Sequence, residues 1–154
     1  MDSGLIILVL IVFGIVGIIS YITFDDLATD IIADDDIQDS TKANISSLND
    51  RFPSFMDGAF GLAFALFWVL TLSFSFMIDT HPIFFVVSIV LLLGMLFAAG
   101  MLSNAYEEFE TDPEFSTASA EFPITSFVLS HLLVIMLAIG GSVALVLFAK
   151  SRIG

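Results

Sequence analysis

IFFVVSIVLLLGMLFAAGMLS, residues 83–103, and ITSFVLSHLLVIMLAIGGSVALVLFA, residues 124–149, contain no Asp, Glu, Lys or Arg. A bilayer core about 30 Å thick is crossed by about 20 apolar residues at 1.5 Å rise each. Both runs meet that length. Between them lies NAYEEFETDPEFSTASAEFP, residues 104–123, with six carboxylates and no cation. Charge is excluded from two segments and crowded into the elbow that joins them, as expected of two membrane-spanning helices.

Two more runs extend the pattern towards the N-terminus. Residues 59–78 (AFGLAFALFWVLTLSFSFMI) and 4–24 (GLIILVLIVFGIVGIISYITF) are also uncharged and long enough to cross. The first run differs from a secretory signal: its head carries Asp2 and no Lys or Arg, it is too long, and no small-x-small cleavage site follows. We read it as an anchor helix. The expected fold is therefore all-α, an integral membrane protein with four transmembrane helices and acidic extramembrane loops. Its segments are an anchor (1–24), an acidic extramembrane stretch (25–58) and a three-helix unit (59–154) with spans 59–78, 83–103 and 124–149.

Composition agrees. Of 154 residues, 58% are hydrophobic and the mean hydropathy is +1.03, well beyond the roughly 45–50% apolar content of a soluble domain. The formal charge of −13 arises from 17 acids against four cations. Such a surface repels nucleic acid and anionic headgroups and attracts cations or basic protein patches. With no cysteine there is no disulfide, thiolate metal site or Cys-attached haem.

The acidic stretch 25–58 reads in two parts. Phe24, Leu27, Ile31 and Ile32 fall near helical spacing, so the anchor helix is expected to continue past the headgroups. Ile45, Leu48, Phe52 and Phe55 recur at steps of three and four, with Ser40 or Thr41 as N-cap. This predicts an amphipathic helix lying in the membrane plane or against a partner, ended or bent at Pro53. In the second span Phe60, Phe64, Phe67, Thr71 and Phe74 share one stripe, either a packed seam or an aromatic face towards lipid. Asp79-Thr80-His81-Pro82 then makes a tight turn, with Pro82 opening the third span and Asp79 or Thr80 capping it, so spans two and three are expected to be antiparallel neighbours.

Lys150 and Arg152 follow the last span, whereas the elbow has no cation. The positive-inside rule then puts the C-terminus on the cytoplasmic side and the elbow opposite, with Lys42 and Arg51 in the first loop opposing that assignment.

No nucleophile–base set, HExxH, phosphate loop or haem ligand pair is present, so no enzyme, catalytic residue or cofactor is expected. Asp34-Asp35-Asp36, with Asp30 and Asp39, fails the EF-hand pattern because Asp39 stands where Gly is required and Ile45 where Glu closes the loop; no metal is assigned. Asn44-Ile45-Ser46 fits the glycosylation sequon, a pattern common by chance. His131, flanked by Ser126 and Ser130, is the one ionisable side chain within a span. Its two readings are a neutral ring bonded to a carbonyl or serine, and a proton-handling group.

In the elbow, Tyr106 and Phe109 share a helical face among Glu107, Glu108 and Glu110. Asp112-Pro113 reads as the N-cap and first residue of a short helix with Phe115 and Phe122 on its apolar side. These seven residues, Tyr106, Glu107, Glu108, Phe109, Glu110, Phe115 and Phe122, are candidates for docking a basic protein patch, with internal packing as the alternative. Gly94 with Ala98, Ala138 with Ser142, and Gly140 with Ala144 are small residues four apart, and Gly14 with Gly17 a smaller notch. Such pairs let helices approach closely and favour a bundle or homo-oligomer.

The motifs Asn104-Ala-Tyr106-Glu107-Glu108-Phe109, Phe122-Pro123 and His131-Leu132 resemble small membrane proteins of tailless icosahedral viruses that carry a bilayer beneath the capsid. The likeness covers the C-terminal half, and the acidic first loop departs from it. It implies a multi-copy structural protein of a virion internal membrane, bound to lipid and to shell proteins through their basic patches, with no nucleic-acid contact. Two alternatives are an accessory subunit of a cellular respiratory or photosynthetic complex and a small oligomeric cation channel. A channel would need polar residues along one face of a span, and Thr71, Ser73 and Ser75 form no continuous stripe.

Overall fold

A computed structural model describes residues 3–77 and 82–153. Six helices follow one another: α1 (Ser3–Ala33), α2 (Asp39–Met77), α3 (Pro82–Phe109), α4 (Pro113–Ala120), α5 (Pro123–Ser130) and α6 (Leu132–Ile153), with no strand among the described residues. Four of them, α1, α2, α3 and α6, are long and apolar enough to cross a membrane, with mean hydropathies of 2.0 to 2.7 in their most apolar windows. The all-α, four-span architecture expected from the sequence is the one observed. Only 6–28% of those windows is buried within the protein. So much outward-facing Leu, Val and Phe surface is stable against acyl chains, not against water.

Side-chain pairs fix the directions. Asn49 bonds Asp25, Phe52 stacks on Phe24 at 5.6 Å, and Gly14 lies against Phe60, so α1 and α2 run antiparallel. Trp68 Nε1 donates to Ser142 Oγ at 3.4 Å and Lys150 Nζ to the Phe76 carbonyl at 2.8 Å, so α2 and α6 run parallel. Ser103 meets Ser130, Gly140 lies against Leu92, and Phe85 meets Phe148 at 5.6 Å, so α3 and α6 are antiparallel. Spans two and three are thus antiparallel, as expected. They are not packed neighbours, however: α6 sits on both and separates them, because its small residues admit Leu92 on one side and Trp68 on the other. Asp79, Thr80 and His81 lie outside the described residues, and α3 opens at Pro82 as expected.

At 1.5 Å per residue, α1 is about 46 Å long and α2 about 58 Å, both beyond the hydrocarbon core. The anchor helix does continue beyond its apolar run, to Ala33. The second expectation is corrected: no separate in-plane helix exists, because α2 begins at Asp39 and runs through Pro53 without a break. Gln38 accepts the amides of Thr41 and Lys42, so neither Ser40 nor Thr41 is the cap. Proline forfeits one amide bond, to the Asn49 carbonyl, and packing holds the helix across that gap since Pro53 is itself buried. Of the four apolar positions, Phe52 stacks between Tyr21 and Phe24, while Leu48 and Phe55 face outward.

The last span is also corrected. It divides into α5 and α6 at His131, whose backbone (φ −107°, ψ 22°) leaves the helical region. The seam on α2 holds for Phe60, Phe64 and Phe67 and ends there, since Phe74 is exposed. Of the small residues, Gly140 is a true contact: a Cβ there would run into Leu92. Ser142 accepts from Trp68 and Ala144 is half-buried, but Ala138, Gly94 and Ala98 are exposed; the α3 helix contacts fall instead at Ala99 and Gly100. The largest fully buried side chains, Tyr106, Phe60, Phe122, Ile18, Leu129 and Leu132, gather towards the end of the bundle that holds the acidic elbow.

Candidate interaction site at the acidic end

The helix directions bring the hairpin between α1 and α2 and the elbow 104–123 to one end, with the C-terminus at the other. Fifteen of the seventeen acids, all but Asp2 and Asp79, belong to segments at that end, where only Lys42 and Arg51 oppose them. Nine of the fifteen lie on helices, and Asp34, Asp35, Asp36, Glu110, Asp112 and Glu121 lie in the turns between them; α4 packs on α1 and on α5 and closes the elbow down onto the hairpin.

Asp57 holds these parts together. It is 4% exposed. Its Oδ2 accepts the Ile124 amide at 3.0 Å, and its Oδ1 accepts both the Thr125 amide (2.7 Å) and the Thr125 hydroxyl (2.8 Å). These amides open α5, where no intrahelical carbonyl exists for them, and the local N-cap position Phe122 has no side-chain acceptor. A carboxylate from α2 therefore caps α5 across 67 and 68 residues of sequence. Its charge also opposes the positive end of the α5 dipole. Gly14 and Gly61 make room for this junction: a Cβ on the first would meet Thr125 Cγ2 at 2.9 Å, and on the second Ile124 Cγ2 at 3.0 Å.

A second polar chain fastens α3 to the elbow. The Tyr106 hydroxyl donates to Ser126 Oγ (2.9 Å), which donates to the Ser119 carbonyl (2.8 Å). Ser103 Oγ donates to the Ser130 carbonyl at 2.7 Å, a group whose intrahelical partner is lost at the break before α6. His131 Nδ1 lies 2.9 Å from Ser130 Oγ and 3.1 Å from the Phe127 carbonyl, and its ring stacks on Phe127 at 4.7 Å. The imidazole thus sits at the break, on the outside of the bundle, among groups of its own helix.

The seven elbow candidates separate into two sets. Tyr106, Phe115 and Phe122 are buried: Tyr106 meets Phe115 edge-on at 5.9 Å, and Phe122 meets Tyr21 at 5.7 Å. Packing, not docking, accounts for these three. Phe109, Glu107 and Glu108 are exposed and Glu110 is half-buried. As the Asp-Pro pair indicated, Asp112 caps α4, its Oδ1 accepting the amides of Glu114 (2.9 Å) and Phe115 (3.3 Å). Between α1 and α4, Asp25, Asp26, Glu114 and Glu121 line an open pocket of about 290 Å³ with Tyr21 and Thr117. That grouping joins acids from distant parts of the chain, Asp25 and Asp26 with Glu114 and Glu121, and has no signal in the sequence. Asp57 had one: an acid abutting an apolar span, with no cation near it.

The Asp34–Asp36 segment forms a tight turn in which Asp34 Oδ1 accepts the Asp36 amide at 2.9 Å. Among the described residues no group of three His, Asp or Glu side chains is placed to hold a metal ion. Within the spans, Thr71, Ser73 and Ser75 each donate to the carbonyl four residues earlier in α2. No family model, curated protein or solved structure matches this chain.

Proposed function

We propose that the chain is a structural membrane protein, present in many copies in the internal membrane of a virion, that ties the bilayer to a protein shell through its acidic end. The observation that carries this reading is the concentration of acids at one end of the bundle, on helix ends and the turns between them, fastened by the Asp57 junction. Charges on a braced helical platform keep a fixed pattern, which favours recognition of a complementary basic surface over simple solvation. The contact surface is the exposed set, Glu107, Glu108 and Phe109, with the half-buried Glu110 and the hairpin acids beside it. Packaged nucleic acid would be repelled by the same surface.

The hydroxyls of Thr71, Ser73 and Ser75 in α2 are bonded to their own helix, which favours a scaffold over a conducting pore. The test is stoichiometric co-purification from native membranes, with and without Glu107, Glu108 and Glu110 changed to Gln. A shell protein bearing a basic face should co-purify and be lost from the triple variant. Stoichiometric recovery with oxidoreductase subunits would support the accessory-subunit reading in its place.

A further inference from the structure

We propose that the cleft between α1 and α3 is a binding site for one acyl chain of a zwitterionic phospholipid, taken into the bundle. α1 packs on α2 and α3 packs on α6, but α1 and α3 do not form a packed pair. Two adjoining cavities of about 160 and 100 Å³ occupy the space between them, sharing Ile7, Met95 and Met136 in their walls. The larger reaches inward to Phe67 and Ile139, and the smaller runs along Ala98 and Ala99 to Leu102 and Leu132.

Water is a poor occupant. The two hydroxyls in the larger cavity, Thr71 and Ser88, donate to the carbonyls of Phe67 and Phe85, leaving few groups for a water to bond. Apolar cavities of about 150 Å³ stay dry and take up hydrophobic ligands. At the depth of the spans, the hydrophobic ligand at highest concentration is an acyl chain. Methionines at the shared wall suit a flexible chain, since their side chains adapt to irregular shapes. On the acidic side the smaller cavity ends at Leu102 and Leu132, one residue short of Ser103 and one beyond His131. About 8 Å further along α3 by helical rise come Glu107 and Glu108, whose charge disfavours an anionic headgroup on that side. The site depends on membrane insertion alone and not on which shell the acidic end contacts.

The experiment uses the full chain in phosphatidylcholine vesicles containing phosphatidylcholine with a diazirine on its acyl chain. Photolabel is expected to concentrate on the lining residues Met95, Ala98, Ala99, Leu102, Leu132 and Met136, several-fold above outward positions such as Leu62, Leu93 and Phe97. Even labelling of all outward positions would overturn the site. In native mass spectrometry after detergent exchange, the wild type should keep one phosphatidylcholine that Ala98→Phe loses and the off-site control Leu93→Ala retains. Equal retention by Ala98→Phe, with its helicity unchanged, would also overturn it. Preferential retention of phosphatidylglycerol from a mixed membrane would contradict the headgroup assignment. Should Ala98→Phe fail to fold, the wild-type photolabelling decides the question.

Discussion

Replacing Asp57 with Ala removes three hydrogen bonds at once. Two of the donors are the Ile124 and Thr125 amides, which sit in the first turn of α5 and have no helical carbonyl to turn to. A bond to an ionised acceptor contributes about 1.5–3 kcal/mol, and each donor left buried and unpaired costs about 1–3 kcal/mol. Allowing for overlap between these effects, Asp57→Ala should destabilise by about 3–5 kcal/mol. Asp57→Asn keeps the oxygen that serves Thr125 and presents an amide hydrogen to the Ile124 N–H, so it should cost about 1–3 kcal/mol. Thr125→Val removes only the hydroxyl donor and should cost about 1 kcal/mol. The assay is reversible unfolding in mixed micelles with increasing SDS, followed by loss of helical circular dichroism and by the emission of Trp68, the one tryptophan. In the Asp57→Ala, Thr125→Val cycle the hydroxyl effect should vanish once the carboxylate is gone. An Asp57→Ala cost below about 1 kcal/mol would refute the reasoning, because that is the range of an exposed cap.

Further predictions concern packing and arrangement. Gly140→Ala should destabilise by about 1–3 kcal/mol, since its Cβ would run into Leu92, while Gly94→Ala, with open space around it, should be neutral or slightly stabilising through helix propensity; SDS unfolding compares them. Tyr106→Phe should cost about 0.5–1.5 kcal/mol by losing its bond to Ser126, with the fold unchanged by circular dichroism. Because the chain has no cysteine, engineered pairs report helix order cleanly: cysteines at Leu92 and Gly140 should cross-link readily, and pairs joining the middles of α2 and α3 should not. Cross-linking between α2 and α3 would contradict the placement of α6 between them.

What the sequence revealed and what it hid follow the range of the forces involved. Bilayer thickness imposes a length on every span, so four uncharged runs could be read directly. The cap of α4 was legible too, because Asp112 and Pro113 act on their immediate neighbours. The break at His131 was not, since no Pro or Gly marks it and the Ser130 carbonyl it frees is satisfied from α3 by Ser103. Pro53 misled for the opposite reason: a local breaking signal is overridden by tertiary packing around a buried ring. Tyr106, Phe115 and Phe122 resembled an exposed docking face because their spacing does not tell which way α4 folds. It folds back onto α1 and covers them.

Side-specific labelling tests the architecture most directly. Single cysteines would be placed at Asp35, at Thr111 and after Gly154 in the cysteine-free chain, and the protein reconstituted in vesicles with a membrane-impermeant maleimide outside. Within one oriented population, the hairpin and elbow cysteines should label together and the C-terminal one only after the vesicles are opened, or the reverse throughout. Labelling of Asp35→Cys and Thr111→Cys from opposite sides would contradict four crossings with a single acidic end.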